Sequence, residues 1–337
     1  NEVLDAMNQT MPIGAETPNL LAREAIRGQM GRLTNHTRNR WVRQKMVDHY
    51  RDRLGFSPSN PYDELAQQLL EQEKAIKYDA ANDRYYVAEN NKTLNKGYSR
   101  NYRLGFGVSG SWQTGDFTNT SSFTEYDFQN VALTAHLSLE MGRHLMTGLF
   151  FGYDRGHAEA DRIGSEVDAD TFTLGSFLSG EYSRFYADLA AAYSRINYDL
   201  SRNVQFNNLN EQFDADPSAN QYTAYAGGGI DLNLMPGLNL GPTWGLQYIY
   251  WDMDSYSESG DFFALDVEDN TADSLWLQFG GRISYYHAWE NIELIANFNG
   301  GFNRNLLDDN FSNTANFGNA TGSLPFTTQS FNPSESF

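Results

Sequence analysis

Strict alternation of apolar and polar side chains is the feature that most constrains this chain. The stretch VALTAHLSLEM at residues 131–141 has an apolar side chain at every odd position and a polar or small one at almost every even position. A period of two is that of a β-strand, whose successive side chains point to opposite faces. Nine segments of this kind follow residue 98. They predict nine strands of roughly ten or more residues, longer than the ~5–6 residues usual in soluble sheets.

The connections between these segments alternate in length. Residues 142–143 and 183–184 are tight turns, whereas 116–125, 156–168 and 201–218 are long and acidic or rich in Asn. The polar face of the strands is a mixture of Gly, Ser, Thr, Asn, Gln and Tyr with few charges, which is typical of a wet interior. Short turns at one rim, long loops at the other and apolar side chains outward are the pattern of a transmembrane β-barrel.

We therefore expect an all-β fold, a transmembrane antiparallel β-barrel whose apolar faces lie against lipid. An open strand edge in hydrocarbon would leave unpaired N–H and C=O groups, each costing several kcal/mol, so such strands close on themselves. The polar face of each strand then faces the lumen. The predicted lumen residues that carry charge or can take it up are His136, Glu140, Asp188, Asp231, Arg282 and Glu293.

Residues 1–98 differ from the rest and predict a helical leader or linker. Thr17 followed by Pro18 is an expected helix start, and Gly55 is an expected stop, with 34–37 as a candidate interruption. Residues 76–87 predict a small hairpin around Ala-Ala-Asn-Asp, and part of 56–98 is expected to lie outside the pore. Residues 99–337 form the predicted barrel.

Charge divides the chain in the same way. Residues 1–55 carry nine Arg or Lys and six Asp or Glu, whereas the remainder carries fifteen and thirty-seven. One interpretation is a solvated helical domain, and the other is a helix that occupies an acidic cavity made by the barrel. The basic residues assigned to that helix are Arg27, Arg32, Arg38 and Arg43. The acidic total argues against nucleic acid as a partner, because its phosphates would be repelled.

The strand region resembles the translocator β-domain of autotransporters, the type V secreted proteins of Gram-negative bacteria. The resemblance rests on GLFFGY at 148–153, VDADTFTLG at 167–175, FYAD at 185–188, LGPTWGLQY at 240–248 and FGGR at 279–282, in this order. It implies a barrel of twelve strands in the outer membrane, with a preceding helix threaded through the pore. Since nine strands are visible, the last ones are expected to be missing, with Phe337 at the start of a tenth.

The resemblance also implies a function and a set of partners. The barrel is expected to anchor in outer-membrane lipid as a monomer and to export its own passenger domain with the help of the barrel-assembly machinery and periplasmic chaperones. No cofactor, metal or catalytic residue is expected. Self-cleavage of the leader within the pore is a feature of some members, but Asn1 is better explained as an arbitrary boundary.

Two other classes remain open at this point. One is an outer-membrane adhesin or small porin. The other is a protease of the barrel rim, for which His157, Glu159 and Asp161 are candidates. The sequence has no G-x-S-x-G, H-E-x-x-H, Walker A or Rossmann glycine motif that would support other catalysis.

Overall fold

A computed structural model describes most of the region from residue 16 onward. The described ranges are 16–54, 76–79, 84–87, 102–119, 124–142, 144–160, 164–206, 209–235, 238–260, 263–288, 293–307, 310–318, 325–331 and 335–336. Within α1 and at several strand ends the backbone alone is described.

One long helix, α1 (Glu16–Leu54), precedes the strands. It begins at Glu16, so the prediction that Thr17 caps it is wrong, and it ends immediately before Gly55. The predicted interruption is also wrong. The Thr34 hydroxyl donates to the Met30 carbonyl at 3.0 Å and the Thr37 hydroxyl to the Thr34 carbonyl at 2.9 Å, so both side chains bond the helix's own backbone. Among the described residues no helix is both long and apolar enough to cross a bilayer.

Eighteen strands follow within the described residues, and nine of them are long. The strands are β1 (Ile76–Asp79), β2 (Arg84–Val87), β3 (Tyr102–Asn119), β4 (Thr124–Met141), β5 (Leu145–Ala160), β6 (Glu166–Tyr182), β7 (Phe185–Phe206), β8 (Leu209–Ala215), β9 (Ser218–Ile230), β10 (Leu232–Met235), β11 (Leu238–Met253), β12 (Tyr256–Ser257), β13 (Leu265–Val267), β14 (Asn270–Ala288), β15 (Glu293–Asn305), β16 (Asn310–Phe317), β17 (Phe326–Phe331) and β18 (Glu335–Ser336).

The long strands form one antiparallel sheet in which each pairs with the next long strand along the chain. Its order is β3-β4-β5-β6-β7-β9-β11-β14-β15, with β8, β10 and β18 as short additions. The predicted count of nine long strands is confirmed. In the part of the chain that the structure describes, the sheet is open between β3 and β15. The short β18 pairs with Asn303 and Arg304 of β15, where a tenth strand would lie.

The two faces of the sheet meet different surroundings. Odd positions of β5 and β7 point outward, and they are apolar or small and mostly exposed over residues 145–153 and 185–193. Immediately beyond these runs the outward side chains become Arg155 and Arg195. Nine strand residues tilted by about 40° span roughly 20–25 Å, the height of a lipid-facing band. The outward apolar face is therefore the lipid-facing surface of the barrel.

The strands continue well beyond this band on the side of the long connections. β7 runs eleven residues past Arg195, and β3, β4, β5 and β6 occupy most of the segments predicted as long loops. A second sheet of order β12-β13-β16-β17 lies on the same side. It encloses its own apolar cluster, in which Leu265, Val267 and Ala315 are buried. The prediction of long loops is wrong here, because the wall itself extends above the membrane.

The helix lies in the concavity of the long sheet and supplies the centre of the buried core. Its side chains pack against β4, β5, β6, β7, β9 and β14. One apolar layer surrounds Leu21 and Ala22, and a second surrounds Ile26, Met30 and Leu33. The hairpin of β1 and β2 forms as predicted, with Ile76 opposite Val87. The candidate site is therefore the interface between α1 and the inner face of the sheet.

Candidate functional site

The direction of α1 is set by contacts at its two ends. Near its start, the Pro18 carbonyl accepts a hydrogen bond of 2.9 Å from the Tyr198 hydroxyl, and Tyr198 lies beyond the outer edge of the apolar band. At Trp41, the last helical residue whose side chain is described, the indole N–H donates to Ser179 at 3.0 Å. Ser179 lies four residues from the tight turn at Ser183 and Arg184. The helix thus enters at the rim of the long connections and runs toward the rim of the short turns.

The upper layer of the interface is apolar and tightly closed. Leu21 and Ala22 are buried against Ala158, Val167 and Ile196. Two polar groups in this layer satisfy each other, because the Trp251 indole N–H donates to the Tyr198 oxygen at 3.1 Å. Burial raises the pKa of Tyr198, so the phenol remains protonated and available to donate to the helix.

A polar layer lies two turns further down. The Gln29 amide donates to Asp154 and, at 3.1 Å, to Thr173, whose hydroxyl lies 2.8 Å from that of Ser194. Gln29 is fully buried. Its amide approaches β5 at Gly152, where an added Cβ would lie 2.3 Å from the Gln29 nitrogen. Glycine at this position is what allows the helix to reach the wall.

The next layer contains an ion pair that joins helix and wall. The Arg38 guanidinium donates to Asp231 at 2.7 Å and lies over the Tyr186 ring, and both charged side chains are nearly completely buried. Asp188 accepts a hydrogen bond of 2.5 Å from Ser179, the residue that also receives the Trp41 indole. Charges buried in this way are held by partners, since an unpaired charge would be strongly destabilising.

Two further strands hold the opposite sides of the same helical segment. Arg40 forms an ion pair with Glu140 of β4, and the His36 ring contacts the His136 ring, with 3.8 Å between centroids and a tilt of 50° between the ring planes. On β15, Asn297 donates to Asn39, and Arg282 of β14 donates to Asn297 at 2.6 Å. The helix is thus tied by polar side chains to β4, β5, β6, β14 and β15, and to Asp231 beside β9.

The remaining predicted residues have other surroundings. Arg32 lies 3.4 Å from Asp154 and donates to Thr134 at 3.1 Å. Arg27 pairs with Glu24 of its own helix at 2.7 Å and lies over the Trp276 ring, 4.9 Å from its centroid. The side chains of Arg43 and Glu293 lie outside the described residues. The structure brings Arg38 to Asp231, a carboxylate of the predicted lumen set.

Several residues of the interface were not predicted from the sequence. They are Gln29, His36, Asn39, Arg40, Trp41, Asp154, Ser179, Tyr186 and Asn297. Asp154 and Tyr186 stand at lumen parity in their strands, so the alternation alone could have assigned them to the pore. Gln29 and His36 lie three and four residues from Arg32, and Trp41 lies three residues from Arg38. Helical spacing from the predicted arginines was the available signal for these three residues.

The outer surface carries a row of three tyrosines on neighbouring strands, beneath a row of acidic residues. Neighbouring rings are in contact, with 5.3 Å between the centroids of Tyr193 and Tyr222 and 6.4 Å between those of Tyr222 and Tyr250. Above them lies Asp199, whose pKa is raised by desolvation and then by the negative charges of Asp216, Asp168 and Asp214. Amphipathic aromatic rings at this level mark the interface between hydrocarbon and water.

The arrangement is suited to holding a helix and sealing a channel. Within the described residues no three His, Asp or Glu side chains converge on a metal-sized site. Many polar side chains of the inner face form hydrogen bonds or ion pairs with the helix, and the apolar layers pack against it between these bonds. His157, a candidate for a protease site at the rim, lies outside the lumen. It is on the outward face of β5, 3.0 Å from Asp168.

The chain is similar to known outer-membrane translocators. Residues 106–336 match the family described as the autotransporter beta-domain. The translocator domain of the autotransporter NalP from Neisseria meningitidis is similar with a TM-score of 0.52 and 16% identity, over 72% of this chain and 84% of that one. The beta domain of the Bordetella autotransporter BrkA has a TM-score of 0.41 and 14% identity, over 68% and 96%. No curated protein sequence matches the chain.

Proposed function

This chain belongs to the autotransporter β-domain family, the outer-membrane barrels that export a passenger, and we propose that in it α1 is the segment retained in the pore once export is complete. The barrel anchors the protein in the outer membrane of a Gram-negative bacterium. On our proposal the passenger is attached on the N-terminal side of α1. The helix then acts both as the tether of the passenger and as the plug of the channel that the passenger used.

The direction of the helix is the observation that carries this proposal. In outer-membrane barrels the short turns face the periplasm and the long connections face outward. Pro18 lies on the outward side and Trp41 near the turns. The start of α1 therefore lies on the cell-surface side, and β3 begins at the opposite rim, where its first residue pairs with Met141 beside a short turn.

The contacts of α1 support a stable plug. The helix forms buried ion pairs and buried side-chain hydrogen bonds with at least five strands. These contacts stabilise it in the lumen at neutral pH. A porin would instead keep a water-filled lumen lined by polar side chains. The filled lumen therefore favours the translocator over the porin among the functions that a barrel of this kind performs.

We also propose that the barrel folds with help and functions as a monomer. Before insertion, nine long strands with an apolar outer face would be exposed to edge-to-edge pairing and aggregation. Periplasmic chaperones and the barrel-assembly machinery are the partners that such a chain requires.

Catalysis is not part of the proposal. Intramolecular cleavage at an asparagine of α1 would need an acid beside it, whereas Asn39 contacts Asn297 and Arg282, and Asn35 contacts Asn299. For the rim protease, His157 and Asp168 form an exposed pair on the outer wall, and Asp161 lies outside the described residues. Surface acids of this kind solvate a rim more often than they catalyse.

Ion conductance tests the function directly. We expect the full chain in a planar lipid bilayer to pass little current at pH 7.5, and a variant that lacks residues 1–55 to pass a large and steady current, because the deletion empties the lumen. A porin would conduct equally with and without these residues. Equal conductance of the two forms would therefore contradict the proposed role of α1.

A further inference from the structure

One face of α1 carries three basic or titratable side chains in a straight line. Arg32, His36 and Arg40 are spaced by four residues and therefore lie above one another on one side of the helix. The inner face of β4 stands opposite with Thr134, His136 and Glu140. Each member of the helical line has its partner on β4: Arg32 bonds Thr134, the His36 ring contacts the His136 ring, and Arg40 pairs with Glu140.

The match follows from geometry. Four residues advance a helix by about 6 Å, and two residues advance a strand by about 6.6 Å. The step from Arg32 to His36 is thus close to the step from Thr134 to His136. This match places the two imidazoles in contact, with their ring planes tilted by 50°.

The imidazole pair is enclosed and not fully satisfied. His136 is buried, and its Nε2 has no hydrogen-bond partner among the described residues. Its ring occupies the space over Gly107 of β3, where an added Cβ would lie 2.4 Å from the ring. On the other side, Phe150 of β5 stands at the paired position of β4. A protonated ring here would have to give up water and gain little in return.

The charges around the pair are already committed. Arg32 lies beside Asp154 of β5, and Arg40 pairs with Glu140 of β4. Gly107 and Gly105 of β3 bring no charge, and the side chain of Arg103, opposite Glu140, lies outside the described residues. Both carboxylates that face this region are thus bonded to arginine. A proton on His36 would add a positive charge four residues from each of two arginines, and like charges at this spacing repel.

We propose that the contact between His36 and His136 is a pH-sensitive latch, which holds α1 in the lumen while both imidazoles are uncharged and loosens it when they take up protons. The inference rests on the proposed function, because it assumes that α1 is the plug. It adds that the plug has a release condition. At neutral pH the two rings in contact close the side of the pore formed by β3, β4 and β5.

The direction of the pH effect follows from proton linkage. An imidazole in water takes up a proton near pH 6.5. Once α1 has left the wall, both rings can do so, whereas in the docked state a second charge would face the first at 3.8 Å with two arginines beside it. The loosened state therefore binds more protons, and lowering the pH favours it.

Single-channel recording of the full chain tests the latch. We expect the open probability to be low at pH 7.5 and roughly tenfold or more higher at pH 5.5, tenfold being the change produced by each pKa unit of coupling. His36→Gln and His136→Gln keep a polar side chain of similar size and cannot be protonated. We expect each to reduce the pH response, and the double variant to remain closed at both values. The folded state of each variant is checked by circular dichroism in detergent.

His157→Gln is the matched control, because His157 lies on the outer wall and outside the pore. It should respond to pH as the unchanged protein does. A wild-type channel that stays closed at pH 5.5, or a double His variant that still opens there, would overturn the latch. The latter result would assign the response to Asp154 or Glu140. If the chain lacking residues 1–55 conducts no more than the full chain, it is the proposed function that fails.

Discussion

At the scale of single residues, the buried pair of Arg38 and Asp231 is the contact most sensitive to change. Their side chains are 3% and 9% exposed, and they are 2.7 Å apart. Arg38→Met leaves the Asp231 carboxylate without its cation, and breaking a buried pair in this way costs about 3–5 kcal/mol. We expect the free energy of unfolding in detergent to fall by that amount, as measured by urea titration. The variant Arg38→Met with Asp231→Leu should recover part of the loss, because the carboxylate that lost its cation is then absent.

Arg195→Met provides the comparison. Arg195 and Asp254 form an ion pair at 3.4 Å on the outer wall, where their side chains are 40% and 56% exposed. Exposed pairs contribute about 0–1 kcal/mol, so this substitution should change little. Equal losses for the two arginine variants would show that the buried pair adds nothing specific to the plug.

At the scale of elements, the approach of α1 to β5 depends on the missing side chain at Gly152. Valine there would place a Cβ against the Gln29 amide, which cannot swing away without breaking its bonds to Asp154 and Thr173. The strand itself tolerates valine well. We expect Gly152→Val to displace the helix and raise the current at pH 7.5, with the sheet content unchanged. Gly300→Val is the matched control, since nothing lies within 4 Å of its added Cβ, and a similar current in both variants would refute the close-approach argument.

The same elements show how far the sequence predicts the structure. Alternation predicts the nine strands because lipid on one side and a polar lumen on the other give each strand opposite faces. The signal weakens at 201–206 of β7, where the outer face also meets water and becomes polar and the inner face carries Arg202 before Val204, so the strand reads as a loop. The interruption expected at Thr34 failed because threonine can bond within a helix. Lumen positions follow from parity, but partners such as Arg38 and Asp231 are 193 residues apart, and no local pattern encodes that register.

At the scale of the whole molecule, the solvent that each face of the sheet contacts determines which substitutions that face tolerates. Leu189 stands at the centre of the outward apolar run of β7, whereas Asn197 stands on the same face above it. Arginine at a bilayer midplane costs about 2–4 kcal/mol and about 0–1 kcal/mol near the interface. We expect Leu189→Arg to weaken folding into phospholipid vesicles by the larger amount and Asn197→Arg by the smaller, measured by equilibrium refolding. Equal costs would mean that this face does not lie in lipid.

The extension of the wall beyond the membrane has a consequence for whatever leaves the channel. β7 rises about 36 Å along its length past Arg195, which at the usual tilt is a height of roughly 25 Å, and Pro18 of the helix is already within this raised part. A polypeptide that emerges here enters the medium at the top of this raised wall and away from the surrounding membrane surface. Its first folding steps then take place clear of the membrane surface.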